Sequence, residues 1–206
     1  MELEVLLERV GEMYYKFGIK SVTMDDISHE FGISKKTLYQ YVEDKNDLVN
    51  KVVQHVYKTE AEKFKEFVCG DNNAIEELLK VNQYLRHMIS NHNPSTEYDL
   101  KKYYPELYRT IKDKKIDQMY DNVLANLIKG KKEGLYRKEL NEEFIAKYYV
   151  SRIDSSMDLY SSNENANNMQ EYIYELFIYH IRGISSAKGI KFLEEHIDEI
   201  KLENHV

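Results

Sequence analysis

The residues with the clearest chemical use lie between Thr23 and Lys45. Ser34-Lys-Lys-Thr-Leu-Tyr-Gln-Tyr-Val42 reads as a helix capped by Ser34. On a wheel of 100° per residue, Leu38 and Val42 point together and mark the buried side. Lys36 and Gln40 point almost directly away from them. Thr37 and Tyr39 lie on the two flanks, and Lys35 occupies the first turn. Lysine can donate to guanine O6 and N7, and glutamine can pair with adenine N6 and N7. Hydroxyls and Lys45 suit phosphate oxygens, which position a protein without reading base sequence. The pattern therefore nominates Lys36 and Gln40 as base readers. Thr23, Thr37, Tyr39, Tyr41 and Lys45 join them as contacts that hold the backbone, and Lys35 as a further DNA-binding residue. The competing interpretation is a helical hairpin with a solvated polar face.

These side chains need a preceding helix and a tight turn to aim them. Thr23 is placed to cap that helix, with Asp26 three residues on. Met24, Ile27 and Phe31 form its apolar stripe. Gly32 stands where a chain leaves a helix in the left-handed conformation, which costs glycine little. Ile33 fills the turn. Two short helices joined in this way make a helix-turn-helix, whose second helix enters the DNA major groove.

The first fifty or so residues resemble the DNA-binding domain of the TetR family of bacterial transcription regulators. The resemblance rests on Tyr15-Lys-Phe-Gly-Ile-Lys-Ser-Val-Thr23 and Asp26-Ile-Ser-His-Glu-Phe-Gly-Ile-Ser34. Its most specific part is Thr37-Leu-Tyr-Gln-Tyr-Val-Glu-Asp-Lys-Asn-Asp-Leu48, with Val42 where the family more often has Phe. It implies a ligand-responsive regulator that binds a near-palindromic double-stranded DNA operator as a homodimer. The regulator is read as a repressor, with an activator or a constitutive regulator without a small-molecule ligand as the rival. It also implies a small-molecule effector site among the helices that follow. Twin helices near 142–160 and 169–187 would pair across the dimer.

Composition sets the frame. The chain has 206 residues, 42% hydrophobic and 32% charged, with two prolines and eight glycines, which favours long helices around a real core. Its net charge is −7, and the first fifty residues carry six bases against ten acids, so a bulk basic footprint is missing. Modest affinity for random DNA is expected. The lone Cys69 offers no internal disulfide. An acidic amphipathic N-terminus without a signal-peptide pattern, and no membrane-length apolar run, lead to an expected cytoplasmic location and no membrane partner.

Helical periodicity continues to the C-terminus. Helices are expected over about 2–17, 45–68, 74–89, 98–104, 105–128, 142–160 and 169–187, with a short C-terminal helix holding Phe192, Leu193, Ile197 and Ile200. The expected fold is all-α: a three-helix helix-turn-helix domain over 1–46, then a larger helical ligand-binding and dimerisation domain over 47–206. Helix 45–68 has no internal glycine or proline, so a displacement can pass along it. Eighteen tyrosines accompany seven phenylalanines and no tryptophan. Tyrosine suits pockets, having an apolar ring and one hydroxyl. Tyr84, Met88, Tyr104, Tyr120 and Tyr149 are the candidates for an effector pocket wall, facing the plainer interpretation that they fill a core. No cofactor, metal site or catalytic group is expected. The seven histidines lack a metalloprotease spacing, and neither a phosphate loop nor a nucleophile elbow occurs. His180 is read as a satisfied histidine on an apolar helix face. The alternative function is a helical small-molecule-binding protein or enzyme that never contacts DNA.

Overall fold

The computed structural model describes residues 2–68, 70–90, 93–161 and 169–202. Cys69, His92 and the polar loop after Ser161 lie outside the described residues, as do the side chains of Met157, Ile197 and Ile200. The described residues form α1 (Leu3–Phe17), α2 (Met24–Glu30), α3 (Lys35–Leu38), α4 (Lys45–Val68) and α5 (Ala74–Ser90). They continue as α6 (Pro94–Tyr103), α7 (Pro105–Lys132), α8 (Glu142–Ser161), α9 (Met169–Ile184) and α10 (Ala187–Leu202). Among them the only β-type pairing is a single bridge between Tyr136 and Ser185.

The chain divides into two compact units, one of residues 1–64 with 93–114, the other of 65–92 with 115–206. Helices α4 and α7 therefore each contribute to both. In the first unit, Leu6, Leu7, Val10 and Tyr14 of α1 meet Ile27 of α2, Leu38 of α3 and Leu48, Val49 and Val52 of α4. Leu100, Tyr104 and Leu107, around the α6–α7 corner, pack against the same core. Helix α6 starts earlier than its periodicity suggests. Asn93 accepts the Ser95 N–H at 2.9 Å and Pro94 takes the first helical position, where its missing N–H costs nothing.

The second unit is built on Ile75 and Leu78 of α5, Val123 and Leu127 of α7, Ala146 and Val150 of α8, and Phe177, Ile181 and Ile184 of α9. Gly130 is internal to α7 and does not end it. It makes room for Tyr136, since a Cβ there would lie 2.1 Å from the Tyr136 ring. Tyr136 is buried, and its hydroxyl lies 3.1 Å from the Ala74 carbonyl and 2.9 Å from Asn126 Oδ1. The wide apolar face of α9 is spent inside this unit. Phe177 is only 3% exposed, so it belongs to the core and is not free to meet a second subunit. No helix among the described residues is long and apolar enough to cross a membrane.

Candidate nucleic-acid interface and regulatory unit

Local hydrogen bonding sets the helix-turn-helix. The Thr23 hydroxyl accepts the Asp26 N–H at 3.2 Å and donates to Asp26 Oδ2 at 2.6 Å. The Thr23 N–H donates to the same carboxylate at 2.8 Å, completing a capping box. These bonds to Thr23 hold the Asp26 carboxyl below its ordinary pKa. Gly32 has φ +60°, the left-handed turn expected of it. Ser34 accepts the Thr37 N–H at 3.0 Å and starts α3.

Helix α3 is shorter than a wheel through Val42 assumes. Regular α-geometry ends at Leu38, and the Gln40 and Tyr41 N–H groups donate to Thr37 and Leu38 carbonyls, three residues back. The tightening leaves the division of faces intact. Leu38 and Val42 are buried, while Lys35, Lys36, Tyr39 and Gln40 are exposed. Lys35 Nζ lies 2.7 Å from Asp25, a bond that lifts its pKa, so a phosphate would compete with that carboxylate. Thr37 and Tyr41 are half-buried, and Tyr41 packs against the core. Lys45 is half-buried too, and its Nζ donates to the Lys20 carbonyl at 3.3 Å. Burial, then the nearby Lys20 charge, hold its pKa down. The buried Asp99 of α6, which no motif had marked, accepts the Lys20 N–H at 2.7 Å. The Lys20 peptide is thus held from both sides.

The five pocket candidates fall in two units. Tyr104 belongs to the first unit, where burial, then the Asp44 and Asp99 charges, raise its pKa. Tyr84, Met88, Tyr120 and Tyr149 belong to the second. Tyr84 lies 5.6 Å from the Phe67 ring, and Met88 is exposed. Tyr120 lines an open cleft of about 400 Å³ with Ile116, Val150 and Ser151, flanked by Asp117, Lys147 and Asp154. Tyr149 stacks on His180 with ring centroids 3.7 Å apart. Burial raises the Tyr149 pKa and lowers that of His180 to about 4, so both stay neutral. On α8, Phe144 and Tyr148 are 65% and 54% exposed and stack at 6.4 Å. On α9, Tyr179 is 77% exposed.

An all-helical chain that presents lysine and glutamine from a capped, glycine-turned second helix is a helix-turn-helix transcription regulator by class. Residues 11–52 match the family described as bacterial regulatory proteins, tetR family. The uncharacterized HTH-type transcriptional regulator YvaF of Bacillus subtilis (strain 168) is 29% identical over 141 residues, 67% of this chain and 72% of that one. A TetR transcriptional regulator from Chloroflexus aurantiacus J-10-FL shares the fold with a TM-score of 0.69 at 16% identity, over 90% of this chain and 96% of that one. The ketosteroid transcriptional regulator KstR2 of Mycobacterium tuberculosis does so with a TM-score of 0.55 at 17% identity, over 89% and 95%. Residues 11–52 thus match a TetR-type DNA-binding domain, and the chain shares the fold of TetR-family regulators. It is a transcription regulator and not an enzyme. Regulators of this family bind DNA as dimers and respond to small-molecule ligands.

Proposed function

We propose that this chain is a repressor that acts in the cytoplasm as a homodimer on a near-palindromic operator and lets go when a small molecule binds. The observation that carries the DNA-reading part is the outward presentation of Lys36 and Gln40 opposite the buried Leu38 and Val42. Lys36 and Gln40 would read base edges. Thr23, Lys35, Thr37, Tyr39, Tyr41 and Lys45 would hold phosphates, Thr23 only by turning its hydroxyl hydrogen from Asp26 to a phosphate oxygen. DNA reading is assigned to residues 1–46 and regulation with dimerisation to 47–206, a functional division distinct from the compact units.

Exposure of Phe144, Tyr148 and Tyr179 supports pairing through α8 and α9, since large rings left in water favour a partner. An isologous dimer sets two recognition helices on successive major grooves. The effector would be mostly apolar or aromatic and would meet Tyr120, with Tyr84, Met88 and Tyr149 of the same unit as further candidates; Tyr104 packs in the first unit and is left out. Ile116 and Val150 beside Tyr120, and the ketosteroid in the name of KstR2, support that class. Release is a population shift and requires the effector to favour the non-binding state. A mobility-shift assay at low salt with DNA flanking the chain's own gene tests the proposal. Retardation that resists random competitor DNA is expected, and its absence would return the helical binding-protein alternative.

A further inference from the structure

We propose that α6 carries a second contact for operator DNA, in which Lys20, Lys102, Tyr98 and Tyr103 hold backbone phosphates flanking the half-site that α3 reads. This rests on the operator binding proposed above. Lys20 Nζ lies 4.8 Å from the centre of the Tyr103 ring, and Lys102 Nζ lies 5.3 Å from the same ring. Lys102 Nζ also lies 5.1 Å from the Tyr98 ring and donates to its hydroxyl at 2.9 Å. Two ammonium groups therefore share one aromatic platform.

Neighbouring lysines are neutralised: Lys101 pairs with Glu97 at 2.7 Å and Lys35 with Asp25 at 2.7 Å. Among the described residues, Lys20 and Lys102 have no such carboxylate within 4 Å. Tyr98 and Tyr103 are 57% and 41% exposed, so the core does not account for them. A ring face attracts a cation and fixes an otherwise flexible lysine, which lowers the entropy lost when a phosphate is bound.

The stripe is continuous with the DNA-facing edge, because Lys45 Nζ donates to the Lys20 carbonyl. It borders a groove of about 540 Å³ that exposes Lys20 with the Ser21 and Ser95 hydroxyls. Asp99 lines the groove as well, but its Oδ2 is engaged by the Lys20 N–H. Flanking phosphates complement this charge. They also give an acidic chain cations beyond the helix-turn-helix with which to displace condensed counterions.

The test uses the full chain and a duplex enriched by the protein from a random library. The duplex is prepared in two lengths, one ending at the half-sites and one carrying about ten further base pairs per side, roughly a helical turn. Binding is measured over a range of salt. The longer duplex should bind tighter, with a log–log salt slope steeper by about two units per subunit, near 0.9 for each phosphate. Lys20→Ala with Lys102→Ala should abolish that length dependence and leave the short duplex within about three-fold, while Lys102→Arg retains it. Wild-type protein that binds both lengths alike overturns the proposal. So does a double variant that keeps the length dependence, or one that loses the short duplex equally with circular dichroism and Tm unchanged. An unfolded double variant shifts the decision to Lys102→Ala alone, which should remove about one unit of slope. Enrichment of no duplex at all overturns operator binding itself.

Discussion

Acidification should destabilise this protein through His180 by an amount that can be estimated. The imidazole is buried on α9 and stacked on the half-buried Tyr149. Burial holds its pKa at about 4, down from 6.5. The same burial raises the Tyr149 pKa, so that hydroxyl stays neutral and offers an imidazolium no countercharge. Between about pH 6.5 and about pH 4 the unfolded chain takes up a proton that the folded chain refuses. Stability therefore rises with pH through that window and falls as pH drops through it. Below the folded pKa both states are protonated and the effect levels off. A gap of roughly 2.5 pK units at 1.36 kcal/mol each gives about 3 kcal/mol as an upper figure, large beside a typical stability of about 5–15 kcal/mol. Urea unfolding of wild type and His180→Phe, which keeps a flat ring against Tyr149, isolates this residue from the carboxylates. From about pH 7 to about pH 4 the difference between the two should move by about 3 kcal/mol in favour of the variant. A difference that stays constant with pH would refute the reasoning.

Gln40→Ala should cost about 1–3 kcal/mol on the preferred operator and relax base preference at one position per half-site, read by binding to single-base variants. Equal loss on all sequences would remove Gln40 as a reader. Tyr148→Asp, at an exposed site on α8, should give folded monomers by sedimentation and lose operator binding, because one half-site alone is weak. An intact dimer would move the interface elsewhere. Gly130→Ala gains about 1 kcal/mol of helix propensity but drives a Cβ to within 2.1 Å of the Tyr136 ring. Overpacking of about 1–3 kcal/mol, plus the strained hydroxyl bonds to Ala74 and Asn126, should win, and denaturation showing unchanged or higher stability would contradict that.

What the sequence made legible was what local rules decide. Thr23 with Asp26, Gly32 and Ser34 are capping and turn chemistry, and they hold as bonds and angles in the structure. The start of α6 was legible in principle, since Asn93-Pro94 is a capping pair, but the short polar stretch around it reads as a loop. The wheel over-extended α3 because period alone does not register a change to three-residue hydrogen bonding. Other features needed tertiary contact. Phe177 has the periodicity of any apolar helix face, and only packing decides that it meets its own core. Asp99 is one acid among 36, and its grip on the Lys20 peptide joins residues 79 apart. The tyrosines were ambiguous for the same reason: composition cannot tell Tyr149, stacked inside, from Tyr179, left in water.

The central claim is that a symmetric pair of these chains reads DNA through Lys36 and Gln40. Enrichment of duplexes from a random library by the full chain, followed by footprinting on the winner, tests it most directly. The expected product is a near-palindrome whose half-site centres lie one helical turn, about 34 Å, or a multiple apart. Selection repeated with Lys36→Ala and Gln40→Ala should return a changed base at the same position of both halves. Enrichment of no common sequence, or of an asymmetric site that the two variants select unchanged, would contradict the account.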